Sequence, residues 1–335
     1  MNPSERISAF VKLGEAIKTL GADEREELLW RAENNNSWFS ANSVEAALEG
    51  VAFMLSPDKL AAWLEGYDLQ KVDRPKSVGL MLAGNIPAVG FHDLMCVVLA
   101  GHQAVIKLSS SDEVLMKWII KTLIGIDSRL AERIRIEEML KGMDAYIATG
   151  SDNSSRYFNY YFGKYPHMIR QNRVSVAVLS GEETVEDYVR LGKDIFQYYG
   201  LGCRNVSKIF LKSVNQLQAL LDALEIYAPI GAHHKYHNNY DYNKSIYLVN
   251  LEEHLDNGFL LLKESKELAS PISVLFYELY EDEKQLSERL EGVKEKIQCI
   301  VGKGPGRVPF GSAQNPEPWE YADEVDTMAF LLRDC

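Results

Sequence analysis

The chain has 335 residues, 46% of them apolar, which is ordinary for a globular protein and enough for one large or two medium domains. Its 36 Lys and Arg against 48 Asp and Glu leave a formal net charge of -12, which argues against a nucleic-acid partner or an anionic membrane surface. The start MNPSERISAF has neither the basic residues nor the apolar stretch of a signal peptide, and the longest apolar region (79 to 101) is broken by Asn85, His92 and Asp93, so a cytoplasmic protein without a membrane span is expected.

Residues 1 to about 70 read as helices, with apolar residues at three- and four-residue spacing (Ile7, Phe10, Val11, Leu13; then Ala46, Ala47, Val51, Ala52, Leu55) broken by the polar loop from Asn34 to Trp38. After Arg74 and Pro75 short apolar runs alternate with helical stretches. Val78 to Leu82, Val105 to Lys107, Ala145 to Ala148 and Val174 to Leu179 read as strands, and helices fill 87 to 100, 112 to 126, 153 to 163 and 183 to 198. Strands separated by helices of that length imply parallel pairing through right-handed crossovers, hence a doubly wound α/β sheet.

A second alternation follows: strand Lys208 to Leu211, helix 214 to 226, strand Ser245 to Val249, strand Ile272 to Tyr277 and helix 282 to 297. The tail from Gly304 to Pro318 is too rich in Gly and Pro for regular structure, and Met328 to Leu332 could add a last strand. The expected organisation is an N-terminal helical segment (1-74), a nucleotide-binding α/β domain (75-199) to which 310-335 could return, and a catalytic α/β domain (200-309).

The four cysteines (Cys96, Cys203, Cys299, Cys335) occur singly, which suggests neither a zinc knuckle nor a disulfide scaffold. Cys96 sits among Leu94, Met95 and Val97 and reads as core. Cys203 is different: it lies in Tyr198-Tyr-Gly-Leu-Gly-Cys-Arg-Asn-Val-Ser-Lys-Ile-Phe-Leu211, where a helix ends in a small-residue turn leading into an apolar strand. Such a turn lifts a thiol out of the core, and a thiolate can attack an acyl carbon and hold it as a thioester.

Ligands of an open parallel sheet bind beyond the carboxyl ends of its strands, which singles out three further segments. Ala83-Gly-Asn-Ile-Pro87 places Asn85 where its amide could meet a developing oxyanion. Lys107-Leu-Ser-Ser-Ser-Asp112 sets Lys107, Ser109 and Ser110 before a helix, a combination that suits a ribose or phosphate, and Thr149-Gly-Ser151 joins a strand end to another helix start, where free amides favour an anion. Taken singly each is an ordinary turn or cap. No G-x-G-x-x-G follows any predicted strand. His233, His234 and His237 include one pair at i, i+4 spacing, yet their Asn-Asn-Tyr-Asp continuation reads as a polar loop beside the acyl site, and no metal is expected.

In this order the segments resemble the aldehyde dehydrogenase superfamily over roughly residues 75 to 280. Its Asn-Phe-Pro, Lys-Pro-Ser, Thr-Gly-Ser, Gly-Gln-x-Cys and Glu-x-Phe-Gly-Pro motifs are matched by Asn85-Ile-Pro87, Lys107-Leu-Ser109, Thr149-Gly-Ser151, Gly200-Leu-Gly-Cys203 and Glu267-Leu-Ala-Ser-Pro271. Within it the sequence is most similar to the long-chain acyl-CoA reductase (LuxC) family, on Ala83-Gly-Asn-Ile-Pro87, GLGCRNVSKIF, the short length, and the tail Phe310-Gly-Ser-Ala-Gln314 followed by Tyr321 to Met328. The resemblance implies an aldehyde-dehydrogenase-like fold of two doubly wound parallel-sheet domains and NADPH-dependent reduction of a fatty acyl thioester to the aldehyde.

On that reading Cys203 is the nucleophile, Asn85 with the Cys203 N–H forms the oxyanion hole, Lys107, Ser109 and Ser110 meet the adenosine ribose or 2'-phosphate, Thr149, Gly150 and Ser151 meet the pyrophosphate region, and Glu267 holds the nicotinamide ribose. Two departures shape the expectation. The superfamily's glutamate base would fall near Ile169-Arg-Gln-Asn172, where no acid occurs, which disfavours hydrolysis of the thioester; Ser110 replaces the acid of many NAD-preferring members, which favours NADPH over NADH. The resemblance also implies acyl-CoA or an acyl carrier as donor, an acyl-protein synthetase as a supplying partner, and self-association into a homo-oligomer. Two rivals stand beside it: a γ-glutamyl-phosphate-reductase-like enzyme acting on an acyl phosphate, and a non-catalytic acyl-carrying nucleotide-binding subunit.

Overall fold

The computed structural model describes residues 1–335 except Lys71, Asp73, Ser151 and Asp334, and the side chains of Asp152, Asn153 and Ser154. Contacts divide the chain into two compact units, Met1–Asn172 with Pro316–Cys335, and Arg173–Asn315.

The first unit is built on a five-stranded, all-parallel sheet in the order β3-β2-β1-β4-β5. Its strands are β1 (Ser77–Met81), β2 (Gln103–Lys107), β3 (Ile134–Ile136), β4 (Ala145–Thr149) and β5 (His167–Arg170). Four helices precede it, α1 (Pro3–Lys18), α2 (Ala22–Asn35), α3 (Ala41–Met54) and α4 (Pro57–Leu64), and three are interleaved, α5 (Phe91–Ala100), α6 (Glu113–Ile126) and α7 (Asp152–Phe162). From Leu94 to Ala100 every residue of α5 is fully buried, which a continuous apolar run with no polar face requires. α1 covers α5 and α6, so the first 74 residues are part of this unit rather than a separate segment. Arg6 locks the arrangement by donating to the Leu99 carbonyl from Nε at 3.2 Å and Nη2 at 3.1 Å. A cation there satisfies an otherwise orphaned carbonyl at the C-terminus of α5, where the helix dipole favours positive charge.

The tail comes back to this unit. Lys59 of α4 pairs with Glu317, Trp63 Nε1 donates to Tyr321 Oη at 2.8 Å, and the Tyr67 hydroxyl donates to Asp326 at 2.8 Å. Residues Met328 to Leu332, expected to be a strand, form instead the helix α12 (Thr327–Arg333) against α5. Asp326 Oδ1 accepts from the Ala329 N–H at 2.8 Å, and the buried Thr327, Met328 and Leu331 follow helical rather than alternating spacing. Beneath this helix lies a buried ion pair: one Nη of Arg170 donates to both Asp93 oxygens at 2.7 and 2.8 Å, and the other donates to Thr327 Oγ1 at 2.7 Å.

The second unit holds six strands in the order β11-β6-β7-β10-β9-β8. These are β6 (Val174–Leu179), β7 (Val206–Leu211), β8 (Leu255–Asp256), β9 (Leu261–Glu264), β10 (Val274–Leu279) and β11 (Ile297–Gly302), all parallel to their neighbours except β8, which runs antiparallel to β9. Because β6 pairs with both β7 and β11, it and the helix after it belong here, and the division falls at residue 172/173 rather than the expected 199/200. The helices are α8 (Val185–Phe196), α9 (Asn215–Leu224), α10 (His234–Val249) and α11 (Glu283–Glu291). α8 and α9 pack side by side on one face over Ala177, Leu179, Ile209 and Leu211, while Leu286 of α11 packs on the other over Val176, Val178 and Phe210.

Helix α10 overturns two expectations at once, the strand from Ser245 to Val249 and the loop around the histidines. Its buried residues, Tyr236, Tyr240, Asn243 and Tyr247, recur at three- and four-residue spacing, so tyrosines supply the packed stripe that aliphatic residues usually form. His233 starts the helix, its side chain accepting from the Tyr236 N–H at 3.3 Å.

Replacing Arg170 with Ala would strand the Asp93 carboxylate without its partner in a dry interior. Such a change is expected to cost about 3–5 kcal/mol of the first unit's stability, seen as a lowered urea midpoint for its transition, whereas Lys59→Ala near the surface should cost about 1 kcal/mol or less.

Candidate active site

The first unit gathers one set of the expected residues along the carboxyl edge of its sheet. Met81 is in register with Lys107 on one side and with Ala148 on the other, so the turns after β1, β2 and β4 leave the sheet at one level. β1 leads away to β2 while β4 leads the opposite way to β5, which makes the ends of β1 and β4 a topological switch point. Asn85 is exposed in the turn after β1, and Thr149 and Gly150 are half-buried after β4, with the Gly150 N–H donating to the Arg170 carbonyl at 3.3 Å. Ser109 caps the short turn Ser110–Asp112 by accepting from the Ser111 N–H at 3.3 Å. Gly84 lies so close that a Cβ on it would sit 2.3 Å from Ser109 Oγ, and Ala88, four residues on, adopts a left-handed φ of 57°. The Asn85 turn is therefore tightly formed and pressed onto the Ser109 turn.

Lys107 Nζ donates to the Glu138 carbonyl at 2.7 Å with the Glu138 carboxylate 3.9 Å away, and Ser110 is exposed with its carbonyl accepting from Asn35 Nδ2 at 2.9 Å. Asp112, directly after Ser111, is 2% exposed, and burial pushes its carboxyl well above the usual range, which favours the neutral form. Ser151 lies outside the described residues.

The second unit carries the thiol. Cys203 precedes β7 and so stands at the amino edge of the six-stranded sheet, on the turn Gly202 to Asn205, where the Asn205 N–H donates to the Gly202 carbonyl at 3.0 Å. Asn205, 3% exposed, fixes this turn to the end of α8. Its Oδ1 accepts from the Gly202 N–H at 2.8 Å, and its Nδ2 protons are shared among the carbonyls of Asp194 (3.0 Å), Ile195 (3.2 Å) and Gln197 (2.8 Å). The last carbonyls of a helix lack intrahelical partners, and this one amide supplies them. Ser175 of β6 grips the other side: its Oγ donates to the Cys203 carbonyl at 3.0 Å and accepts from the Cys299 N–H at 3.2 Å. Cys203 itself is half-buried.

Between α8 and the turn, Tyr198, Tyr199 and Gly200 take left-handed φ values of 55°, 58° and 78°. Two bulky residues in that region cost about 1–3 kcal/mol each. The surroundings hold them there: Tyr198 is 7% exposed, and the Tyr199 ring lies tilted with its centroid 4.2 Å from that of His233 and 6.2 Å from that of Tyr236. Asp194 anchors the segment after β11 to the same helix end, accepting from the N–H groups of Gly311 at 2.6 Å and Ala313 at 2.9 Å, while Arg204 Nε donates to the Ala313 carbonyl at 2.5 Å. Burial pushes the Asp194 carboxyl up to about 6 against the pull of those two amides.

A family model described as acyl-CoA reductase (LuxC) matches residues 26–229, which is more than half of the chain and includes Asn85, Lys107 and Cys203. The chain belongs to the acyl-CoA reductase (LuxC) family. No curated protein matches it significantly.

Solved structures share the fold of this LuxC-family chain. A Burkholderia cenocepacia protein assigned as an aldehyde dehydrogenase aligns with 91% of this chain and 76% of its own at 15% identity and a TM-score of 0.66. An NADP-dependent enzyme of E. coli aligns over 92% and 79% at 11% identity and 0.64. A cysteine-to-alanine variant of aldehyde dehydrogenase C from Pseudomonas syringae, complexed with NAD+ and octanal, aligns over 90% and 73% at 12% identity and 0.62. The fold is thus that of the aldehyde dehydrogenases, with two parallel-sheet α/β units.

Glu267 lies in the connection between β9 and β10, exposed, with its N–H donating to Ser265 Oγ at 3.1 Å. The histidines fall on helix α10: His233 caps it, His237 sits 3.4 Å from Asp241, and among the described residues no cluster of three or more His, Cys, Asp and Glu side chains suits a metal ion. Where the expected glutamate base is missing, Arg170 is committed to Asp93 and Thr327. Among the described residues no helix is long and apolar enough to cross a membrane. Sequence reasoning missed Asn205, Ser175, Asp194 and Arg204. Only Asn205 gave a local signal, as a polar residue between a turn and an apolar strand.

The raised Asp194 carboxyl gives a pH signature. Because its folded pKa of about 6 lies above the ordinary 3.8, its contribution is fully present below about pH 4 and is lost as pH rises through 6. Relative to Asp194→Asn, the natural protein should lose up to about 3 kcal/mol across that window and change no further above pH 7, read from denaturation midpoints at each pH.

Proposed function

We propose that the protein reduces a fatty acyl thioester to the aldehyde through an S-acyl intermediate on Cys203, with NADPH as reductant and a long-chain acyl-CoA as the donor tested first. The observation that carries this reading is the Cys203 turn: a half-buried thiol at the tip of a turn whose backbone is tied down on both sides by Asn205 and Ser175. A side chain kept only for packing needs no such frame, while a nucleophile that must meet a carbonyl at one angle does.

In the proposed reaction the Cys203 thiolate attacks the thioester carbonyl. The oxyanion is met by the Asn85 side-chain amide and the Cys203 N–H, and CoA departs as its thiolate, leaving the acyl group on sulfur. A reduced nicotinamide, when bound, would supply hydride to the acyl carbon, so that the aldehyde forms as the C–S bond breaks and Cys203 leaves as its thiolate.

The residues of the first unit fit such a cofactor. The cradle at the ends of β1 and β4 lies at a switch point, and Lys107 offers an ammonium to the adenosine ribose or its phosphate. The preference for NADPH rests on a hydroxyl rather than an acid at Ser110 and on the burial of Asp112; the Glu138 carboxylate beside Lys107 is on a fully exposed side chain. Glu267 would hold the nicotinamide ribose. Reduction rather than hydrolysis is favoured by the absence of a carboxylate after β5, where Arg170 instead spends its charge on Asp93.

Cys203→Ala should fold, bind cofactor and yield no acyl adduct by intact mass with any acyl-CoA. An alanine variant that still oxidised NADPH with acyl-CoA would sink the scheme, and turnover with acyl phosphates alone would favour the glutamyl-phosphate type of chemistry.

Asn85→Ala should leave the fold intact and slow acylation of Cys203 by about 10²-fold, or roughly 3 kcal/mol, measured by quenched-flow mass analysis.

A further inference from the structure

The turn that carries Glu267 is held by two cations through its backbone. Lys208 Nζ donates to the Ser265 carbonyl at 2.7 Å and to the Glu267 carbonyl at 3.2 Å, and Arg289 Nη2 donates to the Lys266 carbonyl at 2.6 Å. Glu278 joins the two: one of its oxygens accepts from Lys208 Nζ, and the other accepts from Arg289 Nε at 3.0 Å. Three successive carbonyls of one surface turn are thus each bound to a fixed positive charge. Ser207 adds a fourth tie, its Oγ donating to the Leu268 carbonyl at 2.8 Å.

Lys208 has no exposed surface and sits inside the six-stranded sheet, paired in register with Phe276 of β10 and with Val176 of β6. An ammonium in that place is costly to desolvate, and an apolar side chain of similar size often serves stability as well or better. Its three protons are nevertheless all used, two on the Glu267 turn and one on Glu278. Burial alone would raise the Glu278 carboxyl, but Arg289 and Lys208 hold it below the usual range, so that carboxylate stays ionised near neutral pH, while burial lowers the Lys208 ammonium against the pull of Glu278. The expense is understandable if the turn must be presented in one conformation, because the exposed Glu267 side chain takes its position from the backbone that carries it.

We propose that Lys208, with Arg289 through Glu278, is a positioning residue for the hydride half of the reaction, fixing the Glu267 backbone so that the Glu267 carboxylate meets the nicotinamide ribose. The proposal rests on the role given to Glu267 above. It assigns Lys208 no part in acyl transfer to Cys203, even though the two residues are five apart in sequence.

That separation is the test. Lys208→Met, Lys208→Arg, Arg289→Gln, Glu267→Ala and the double variant Lys208→Met/Glu267→Ala are compared in three measurements: acylation of Cys203 by acyl-CoA without nicotinamide, followed by intact mass; NADPH affinity by nicotinamide fluorescence; and single-turnover discharge of the preformed acyl enzyme by NADPH. Lys208→Met should acylate at the natural rate, bind NADPH more weakly, and discharge about 10²-fold more slowly, the scale of a small misplacement of a reacting group. Lys208→Arg should restore most of the loss, and adding Lys208→Met to Glu267→Ala should slow discharge no further.

Natural discharge and affinity in Glu267→Ala would overturn the ribose role itself. Slow discharge in Glu267→Ala with a natural rate in Lys208→Met, or additive losses in the double variant, would overturn the positioning role alone. If Lys208→Met does not fold, Arg289→Gln at the half-exposed end decides: slowed discharge with natural acylation supports the proposal, and natural values for both overturn it.

Discussion

One side-chain amide carries the geometry of the second unit around its Cys203 turn. Asn205 accepts from the Gly202 amide and donates to three carbonyls at the end of α8, so a single buried residue closes a helix and shapes the turn that follows it. The left-handed run at Tyr198, Tyr199 and Gly200 is the counterpart of that clamp, because the chain must reverse within a few residues to bring Gly202 back under Asn205. Unfavourable local backbone is tolerated where surrounding hydrogen bonds over-determine it, and here they surround a thiol. Ser175 extends the frame into the sheet, so the cysteine turn is referenced to β6, β7 and β11 at once.

The first unit solves a different problem, that of building a cradle from turns rather than from a glycine-rich signature. Its strands end at one level, and Gly84 lets the first turn press directly onto Ser109. The buried helix α5, whose apolar surface is covered on every side, supplies the rigid floor. In the second unit the turns of Cys203 and Glu267 stand on backbone groups bound by Asn205, Ser175, Lys208 and Arg289.

The sequence made the chemistry legible where chemistry sits next to regular structure. Cys203, Asn85 and Lys107 could be picked out because each borders a strand whose apolar run is plain, whereas Glu267 came only from the family resemblance; four of the six strands up to Leu179 were readable for the same reason, and the short β3 and β5 were not. What stayed hidden depends on distant partners. Nothing local distinguishes Ser175 or Asp194 from ordinary polar residues; their meaning comes from Cys203, 28 positions away, and from Gly311 and Ala313, more than a hundred positions away. Helix α10 was misread because tyrosines and asparagines form its inner face, and its last residues, Ile246 to Val249, look like a strand when taken alone. The domain boundary was misplaced because only pairing shows that β6 sits between β7 and β11.

The return of Pro316–Cys335 to the first unit has a consequence for biosynthesis. The second unit is a continuous stretch, complete once Asn315 has been made, so it can form its core while the ribosome is still adding residues. The first unit cannot: α5, fully buried from Leu94 to Ala100, lacks the cover of α12 until Thr327–Arg333 have been made. A chain released after Asn315 would therefore hold a finished second unit and an open, sticky first unit, the kind of species that chaperones and proteases remove.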